Sequence, residues 1–503
     1  MGKIPKVMPH KVITSLIPKY DKLKNGKVFL GLAFLSVLLR LPFFFRDYID
    51  RDESTFILMA QSWVDGQLPY THLWDLKPPM VFLFFAAIIY LFGKSFIAIR
   101  IFGALAVAGI GWYTFKIGRE VHTTKTGFWS AIGCVYLLSL FGSVQGVMSE
   151  HLSMLFFIPG LYVLIKNRNY KWYFTAGILI GISLMMKLNL AYSVLGIVLL
   201  LLLKSVIEKQ IPSGIYKLSL IGGGILLVMA STFIPYLVSD TPEVWFNSVI
   251  LAPLAYSSDQ QSSVLNVLPL CIILLLFGFF SWKRRWIDFN IPNIQLLVVV
   301  IAGVVISFLK IGRVNGHYLM QLYPMILILL GIALHKASKS RPKYYPLVLG
   351  LLLLLPVESY MEYVNVIKNK MTRGTFFNGE GFTVPEFIKE NNLSEKEVLF
   401  FEYHIGYWLL DAIPPTKAAT HPSNICRPAL FPYFENSRKN ALAELEYLLD
   451  SLQPKTVVTR KDKSVFDKEY VAEDQYVRTY LKEHYQLVGT SGRAEIFTRL
   501  NSR

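Results

Sequence analysis

Cysteine is scarce in this chain, and the three present are badly placed for cross-links: Cys134 and Cys271 lie inside apolar runs and Cys426 in a polar tail. No disulfide framework is implied, and packing accounts for all three. Acidic residues are also few, 34 against 51 Lys and Arg, and charge in the middle of an apolar run is rarer still. A net charge of +17 would suit a nucleic-acid binder, but the basic residues sit in short clusters between apolar runs. That placement reads as membrane topology and argues against a nucleic-acid partner. Beyond Glu358 the long apolar runs stop, and no internal repeat is evident. A transporter built from matched halves with polar groups at mid-bilayer is therefore a weak reading.

With 53% hydrophobic and 14% aromatic residues and a mean hydropathy of +0.43, the chain is too apolar for a soluble globule. Apolar runs of roughly 16 to 22 residues, about the length that crosses a bilayer, recur to about residue 365. Residues 1–27 are basic and lead into the run 28–45, which ends in Arg-Leu-Pro-Phe-Phe-Phe-Arg and offers no small-residue cleavage site. A retained first helix with a cytoplasmic N-terminus is expected.

Further runs occupy residues 78–92, 97–115, 127–141, 148–165, 172–186, 190–203, 218–238, 264–280, 294–309, 318–334 and 345–357. Basic clusters (Lys116/Arg119/Lys125, Lys166/Arg168/Lys171, Lys204/Lys209, Lys283/Arg284/Arg285, Lys336/Lys339/Arg341/Lys343) follow several of them. If every run spans, all five clusters fall outside and the positive-inside rule fails five times. If residues 78–92, which open Lys-Pro-Pro, lie in the interface, all five fall inside. The expected architecture is an α-helical polytopic membrane protein of about eleven spans over residues 28–365. It has a first external loop at 46–97 and a small α/β extracytoplasmic domain at 366–503. Segments such as Glu397-Val-Leu-Phe-Phe-Glu-Tyr and Lys455-Thr-Val-Val-Thr suggest strands of that domain, with a helix over 440–452.

Acidic groups at the outer rim of such a bundle are functional candidates. Asp47, Asp50, Asp52 and Glu53 open the first external loop, ahead of an amphipathic helix over 54–64. Asp52 and Glu53 point about 100° apart on a helix and so suit different tasks. A partly desolvated carboxylate beside like charge gains the raised pKa of a general base, though a solvated acidic helix cap is the plainer alternative. Lys77 suits a phosphate or simple snorkelling. Glu150 and His151, in the tight turn before the fourth span, suit a substrate hydroxyl, a metal (for which two adjacent residues are a weak signature) or a helix-start carboxylate. Lys187, Arg313, His317 and Tyr318 fall outside by the same parity, where an anionic lipid headgroup would explain the cations.

At these residues the sequence resembles the GT-C type glycosyltransferases, in the bacterial branch similar to protein O-mannosyltransferases and lipid A aminoarabinose transferases. The marks are Asp-Arg-Asp-Glu-Ser from Asp50, Leu-Trp-Asp-Leu-Lys-Pro-Pro from Leu73, Ser-Glu-His from Ser149, and Gly-His-Tyr-Leu-Met-Gln-Leu-Tyr-Pro from Gly316. The resemblance implies a GT-C fold, an interfacial helix in the first external loop and a polyprenyl-phosphate-linked sugar donor. It implies Asp52 as the base with Glu53 beside it orienting the acceptor, and inversion at the anomeric carbon. Lys77 stands where the mannosyltransferases have a His-Pro-Pro motif, nearer the lipid-modifying branch. The expected acceptor is an envelope lipid, glycan or protein at the outer face of the inner membrane, with an envelope polymerase or ligase as a further reading. No cofactor is required with certainty; a divalent cation is possible, and Asp52 and Glu53 cannot by themselves form one metal-ligand face.

Overall fold

The structure, a computed structural model, describes residues 20–47, 50–166, 169–259, 261–338 and 345–500. Residues 1–19 of the basic N-terminus, Arg168, and Lys339, Arg341 and Lys343 lie outside the described residues. Helix α1 (Asn25–Arg40) tightens into a 3-10 turn, Leu41–Phe45, where Pro42 removes a backbone donor. Two shorter helices follow, α2 (Arg51–Val64) and α3 (Pro79–Phe92). The bundle continues with α4 (Phe96–Val121), α5 (Thr124–Leu137), α6 (Ser149–Lys166), α7 (Tyr170–Leu184), α8 (Ala191–Ile207) and α9 (Ile211–Val238). It closes with α10 (Leu268–Lys283), α11 (Pro292–Ile311), α12 (Tyr323–Ser338), α13 (Tyr345–Leu354) and α14 (Val357–Arg373).

Among the described residues, six stretches are long and apolar enough to cross a bilayer: Asn25–Phe45, Phe96–Val121, Leu188–Ile207, Ile211–Val238, Pro292–Ile311 and Gly350–Arg373. The remaining expected runs are shorter helices or, like α6, carry charge at their ends. They sit against neighbours and not alone in lipid. Small residues allow this: Gly177 of α7 faces the backbone of Ile221, and Gly224 of α9 the backbone of Phe174 and Ile178, so closely that a Cβ would collide.

Side-chain contacts fix which helix ends share a face. At one end Tyr20 Oη accepts from Trp129 Nε1 at 3.0 Å, Arg119 Nη1 donates to Asn25 Oδ1 at 2.8 Å, and the His122 and His335 rings lie 4.9 Å apart. At the other end Arg40, at the close of α1, donates to the carbonyls of Leu138 (3.0 Å), Val144 (2.7 Å), Gln145 (3.1 Å) and Gly146 (2.7 Å). The end of α1 and the α5–α6 turn therefore lie together. Since α4 and α5 cross and return, α3 between α1 and α4 cannot cross.

Helix α2 begins three residues before the expected position because Asp50 caps it: in extended conformation, its Oδ1 accepts the Asp52 N–H at 2.9 Å. The amphipathic helix expected over 54–64 is present, and residues 53–60 of α2 are all buried. The cover comes from α3, where Phe56 packs on Phe82 and Phe85, and from the C-terminal region. There α15 (Glu380–Glu390) and α16 (Val471–His484) accompany a four-stranded sheet of β1 (Val398–Phe400), β2 (Thr456–Arg460), β3 (Tyr485–Ser491) and β4 (Ala494–Arg499). The strand order is β1-β2-β4-β3, with β1 parallel to β2 and the other pairs antiparallel. Buried Val398, Leu399, Phe400, Val457 and Val458 hold its first two strands in the domain core.

This domain is fastened to the first loop. Asp47 accepts from the Gly381 N–H, Asn378 N donates to Phe45 O at 2.9 Å, and Trp408 Nε1 donates to Gln61 Oε1 at 2.9 Å. Lys94 pairs with Asp411, and the Trp74 and Phe434 rings lie 4.6 Å apart.

Arg40 is the tie between α1 and the α5–α6 turn, and a buried acceptor left without a donor costs about 1–3 kcal/mol. Arg40→Leu is expected to cost about 3 kcal/mol or more. The checks are a lower melting temperature in detergent and new proteolytic cutting within residues 138–147; an unchanged melting curve would contradict the assignment.

Candidate active site

The site grows from the first turn of α2. Asp52 and Glu53 enjoy the helix dipole there and diverge as the helical period requires. Glu53 turns inward: its Oε2 accepts from Arg100 Nη2 at 2.6 Å and its Oε1 from the Val147 N–H at 2.8 Å, with the two side chains 2% and 1% exposed. Both oxygens are committed to protein partners in the core. Glu53 thus braces α2 against α4 and the α5–α6 turn, and does not face an acceptor as the resemblance implied.

Asp52 turns outward and stays partly exposed. Lys77 Nζ lies 3.0 Å from its Oδ2, both side chains being 21% exposed. Lys77 is delivered by an Asx turn, its N–H donating to Asp75 Oδ2 at 3.2 Å, and by Tyr70 Oη, which donates to Lys77 O at 2.6 Å. The Pro78-Pro79 step then starts α3, and Met80 N donates to Met185 O at 3.1 Å, tying the loop to the end of α7.

A second pair stands on the same rim. Glu150, buried at the start of α6, pairs with Lys187, which follows α7. Ser149 Oγ donates to Glu150 Oε2 at 3.1 Å, and His317 Nε2 lies 3.8 Å from Glu150 Oε1. Lys187 Nζ sits 4.6 Å from the centroid of the Tyr318 ring, and the His317 and Tyr318 rings are 4.7 Å apart. Gly312 ends α11 in left-handed conformation with Ser262 O so near that a side chain could not fit. That glycine sends the chain back over the rim with His317 and Tyr318.

The structure thus brings together Asp52, Lys77, Glu150, Lys187, His317 and Tyr318. Two further candidates are bonded to other groups. His151 is used inside the protein: its Nδ1 accepts the Met148 N–H at 3.2 Å, which leaves Nε2 to donate to Leu138 O at 2.8 Å. Arg313 donates from Nε to Ser262 Oγ at 2.6 Å. Among the described residues, no three His, Cys, Asp or Glu side chains converge to hold a metal.

The electrostatics differ from expectation in one respect. Burial pushes the Asp52 carboxyl up, but the Lys77 ammonium, followed by His421 and His317, outweighs it and holds Asp52 well below the usual carboxylate range. It is Asp50 whose pKa is raised, by burial and by the charge of Asp52. Like charge therefore raises Asp50, and Asp52 is ionised at neutral pH.

Sequence reasoning missed two contributors. Asp75, which shapes the Lys77 turn, was visible as an Asp two residues before a Lys-Pro. His421, whose Nε2 lies 3.3 Å from Asp52 Oδ1, comes from a loop with no periodicity or motif to mark it.

Known proteins share this architecture. The family model described as dolichyl-phosphate-mannose-protein mannosyltransferase matches residues 76–236, and no curated protein matches the chain. ArnT from Cupriavidus metallidurans bound to undecaprenyl phosphate superposes with a TM-score of 0.55 at 13% identity, covering 94% of this chain and 98% of that one. The Archaeoglobus fulgidus oligosaccharyltransferase, tethered to an acceptor peptide containing a sequon, superposes at 0.51 and 12% identity, covering 97% and 75%. The chain has the fold of the GT-C glycosyltransferases, as its sequence resemblance implied.

The low pKa of Asp52 carries a sign that can be tested. A carboxyl depressed in the folded state stabilises fully above its unfolded pKa, about 3.9, and that contribution is lost as pH falls through the folded value. The difference in melting temperature between wild type and Asp52→Asn is expected to stay constant from about pH 8 to about pH 5 and to shrink below about pH 4. A difference already vanishing near pH 6 would contradict the pairing.

Proposed function

We propose that this chain is an inverting glycosyltransferase that moves a sugar from a polyprenyl-phosphate-linked donor to a cell-envelope acceptor. The observation that carries the reading is the pair of carboxylate–ammonium couples, Asp52–Lys77 and Glu150–Lys187, on one rim of the bundle. Glycosyl transfer from a lipid phosphate needs a proton acceptor for the incoming hydroxyl and cations for the departing phosphate, side by side. The similar ArnT structure binds undecaprenyl phosphate, which supports a donor of that class. Basic residues mark the opposite end, among them Arg119, Lys166, Lys204, Lys283, Arg284 and Lys336. The positive-inside rule then makes that end cytoplasmic and the site end and C-terminal domain external.

The acceptor oxygen attacks the anomeric carbon from the face opposite the phosphate, its proton passes to Asp52, and the bond from carbon to phosphate oxygen breaks with inversion. The leaving polyprenyl phosphate carries one more negative charge than the diester it came from, and Lys77 and Lys187 take it up. In the unliganded site Lys77 neutralises Asp52. A bound phosphate competes for that ammonium, so donor binding itself raises the basicity of Asp52. His317, which is partly exposed, faces the sugar or the acceptor, and buried Glu150 holds Lys187 and His317 in place.

Deletion of the gene, followed by mass spectrometry of envelope glycans, identifies the sugar and its attachment point as the modification that disappears. Restored wild type is expected to return it. Asp52→Asn is expected to return it at least about 10²-fold more slowly, and Lys77→Met to bind undecaprenyl phosphate at least about tenfold more weakly. Undiminished transfer by Asp52→Asn would remove Asp52 from the mechanism.

A further inference from the structure

The carboxylate read as the base is held from both sides, by partners from different parts of the chain. Lys77 of the first loop meets Oδ2, and His421 of the C-terminal domain meets Oδ1 through Nε2 at 3.3 Å. The orientation of His421 is fixed by its own backbone: the Ser423 N–H donates to Nδ1 at 3.2 Å. Nδ1 is thereby the acceptor, and Nε2 carries the proton that faces Asp52.

The loop bearing His421 is in turn anchored to the elements that carry Asp52 and Lys77. Arg51, adjacent to Asp52, donates from Nη1 to Ser423 Oγ at 3.2 Å and pairs with Glu402 of the C-terminal domain. The Trp74 N–H donates to Thr420 Oγ1 at 3.4 Å. Thr55, one turn beyond Arg51, shares a 2.9 Å hydrogen bond with His404 Nε2. These contacts put an imidazole N–H on the carboxylate oxygen that the ammonium leaves alone.

We propose that His421 is a positioning residue for Asp52, holding Oδ1 so that Oδ2 receives the acceptor proton once Lys77 turns to the donor phosphate. The proposal rests on Asp52 being the base. It gives the C-terminal domain a defined part in the reaction: the site built by the membrane helices is completed by a group from outside them. A carboxylate tied at one oxygen keeps its free oxygen aimed, and lost aim is costly in a reaction that depends on alignment.

The test uses the full-length protein in the deletion strain, with the initial rate at which the lost envelope modification returns after induction as the readout. His421→Gln keeps a donor close to the position of Nε2, whereas His421→Asn mimics Nδ1 and His421→Ala removes both. Ala and Asn are expected to slow the return about tenfold or more, and Gln to stay within about threefold of wild type. All three should accumulate as wild type does, with Ala and Gln, which lose the acceptor of the Ser423 N–H, melting somewhat lower. Rescue by Gln alone separates positioning from a general structural lesion.

Wild-type rates for His421→Ala, or a Gln variant no faster than Ala and Asn, overturn the proposal. If Asp52→Asn is inactive while His421→Ala is fully active, this proposal alone fails. If Asp52→Asn is as fast as wild type, or wild type restores no modification, the reading of the site fails and takes this proposal with it.

Discussion

A carboxylate buried at the rim of a membrane bundle has to be matched by a cation, because removing an ion from water costs several kcal/mol that a fixed partner must offset. Glu53 is matched by Arg100, Asp52 by Lys77, and Glu150 by Lys187. Each partner comes from a different helix end, so satisfying the charges fixes how α2, α4, α6 and the segment after α7 meet. Arg40 does the same with carbonyl oxygens for the α5–α6 turn. The polar rim organises the bundle, and the lipid-facing surfaces are free to be merely apolar.

The couples differ in what they leave available. The Glu53–Arg100 pair is fully inside and its oxygens are spent, so it serves as a brace. The Asp52–Lys77 pair is partly open to solvent, and an incoming anion can divide it. Adjacent residues on one helix thus differ in what they offer because about 100° of rotation sends one into the core and leaves the other at the partly exposed rim.

Much of this was legible in the sequence because topology is written in charge and run length. The parity of basic clusters required residues 78–92 not to cross, and the contacts of Arg40 require the same of α3. Once that holds, Asp52, Lys77, Glu150, Lys187 and His317 must share a face. Parity assigns a face and nothing finer, which is why His151 and Arg313 were grouped with them. Whether a ring nitrogen meets a carbonyl or a substrate depends on side-chain direction within one turn, as the Leu138 carbonyl shows for His151. The sign of the Asp52 shift was out of reach for a similar reason: it depends on Lys77, 25 residues away in sequence, standing 3.0 Å from it. His421 was the least visible, since 369 residues separate it from Asp52 and no local pattern marks its loop.

The arrangement also bears on why two ammonium groups stand at the site. A lone lysine between Asp52 and a donor phosphate would have to serve both anions, and whichever it favoured would leave the other exposed to like charge. In the proposed reaction Lys187, held by Glu150 and flanked by Tyr318, keeps an ammonium on the rim when Lys77 turns from Asp52. On that proposal the growing charge on a departing phosphate would be met without returning Lys77 to the carboxylate proposed to take up the proton. Leaving-group stabilisation and base release, which compete when one cation does both, become compatible when two cations stand on one rim.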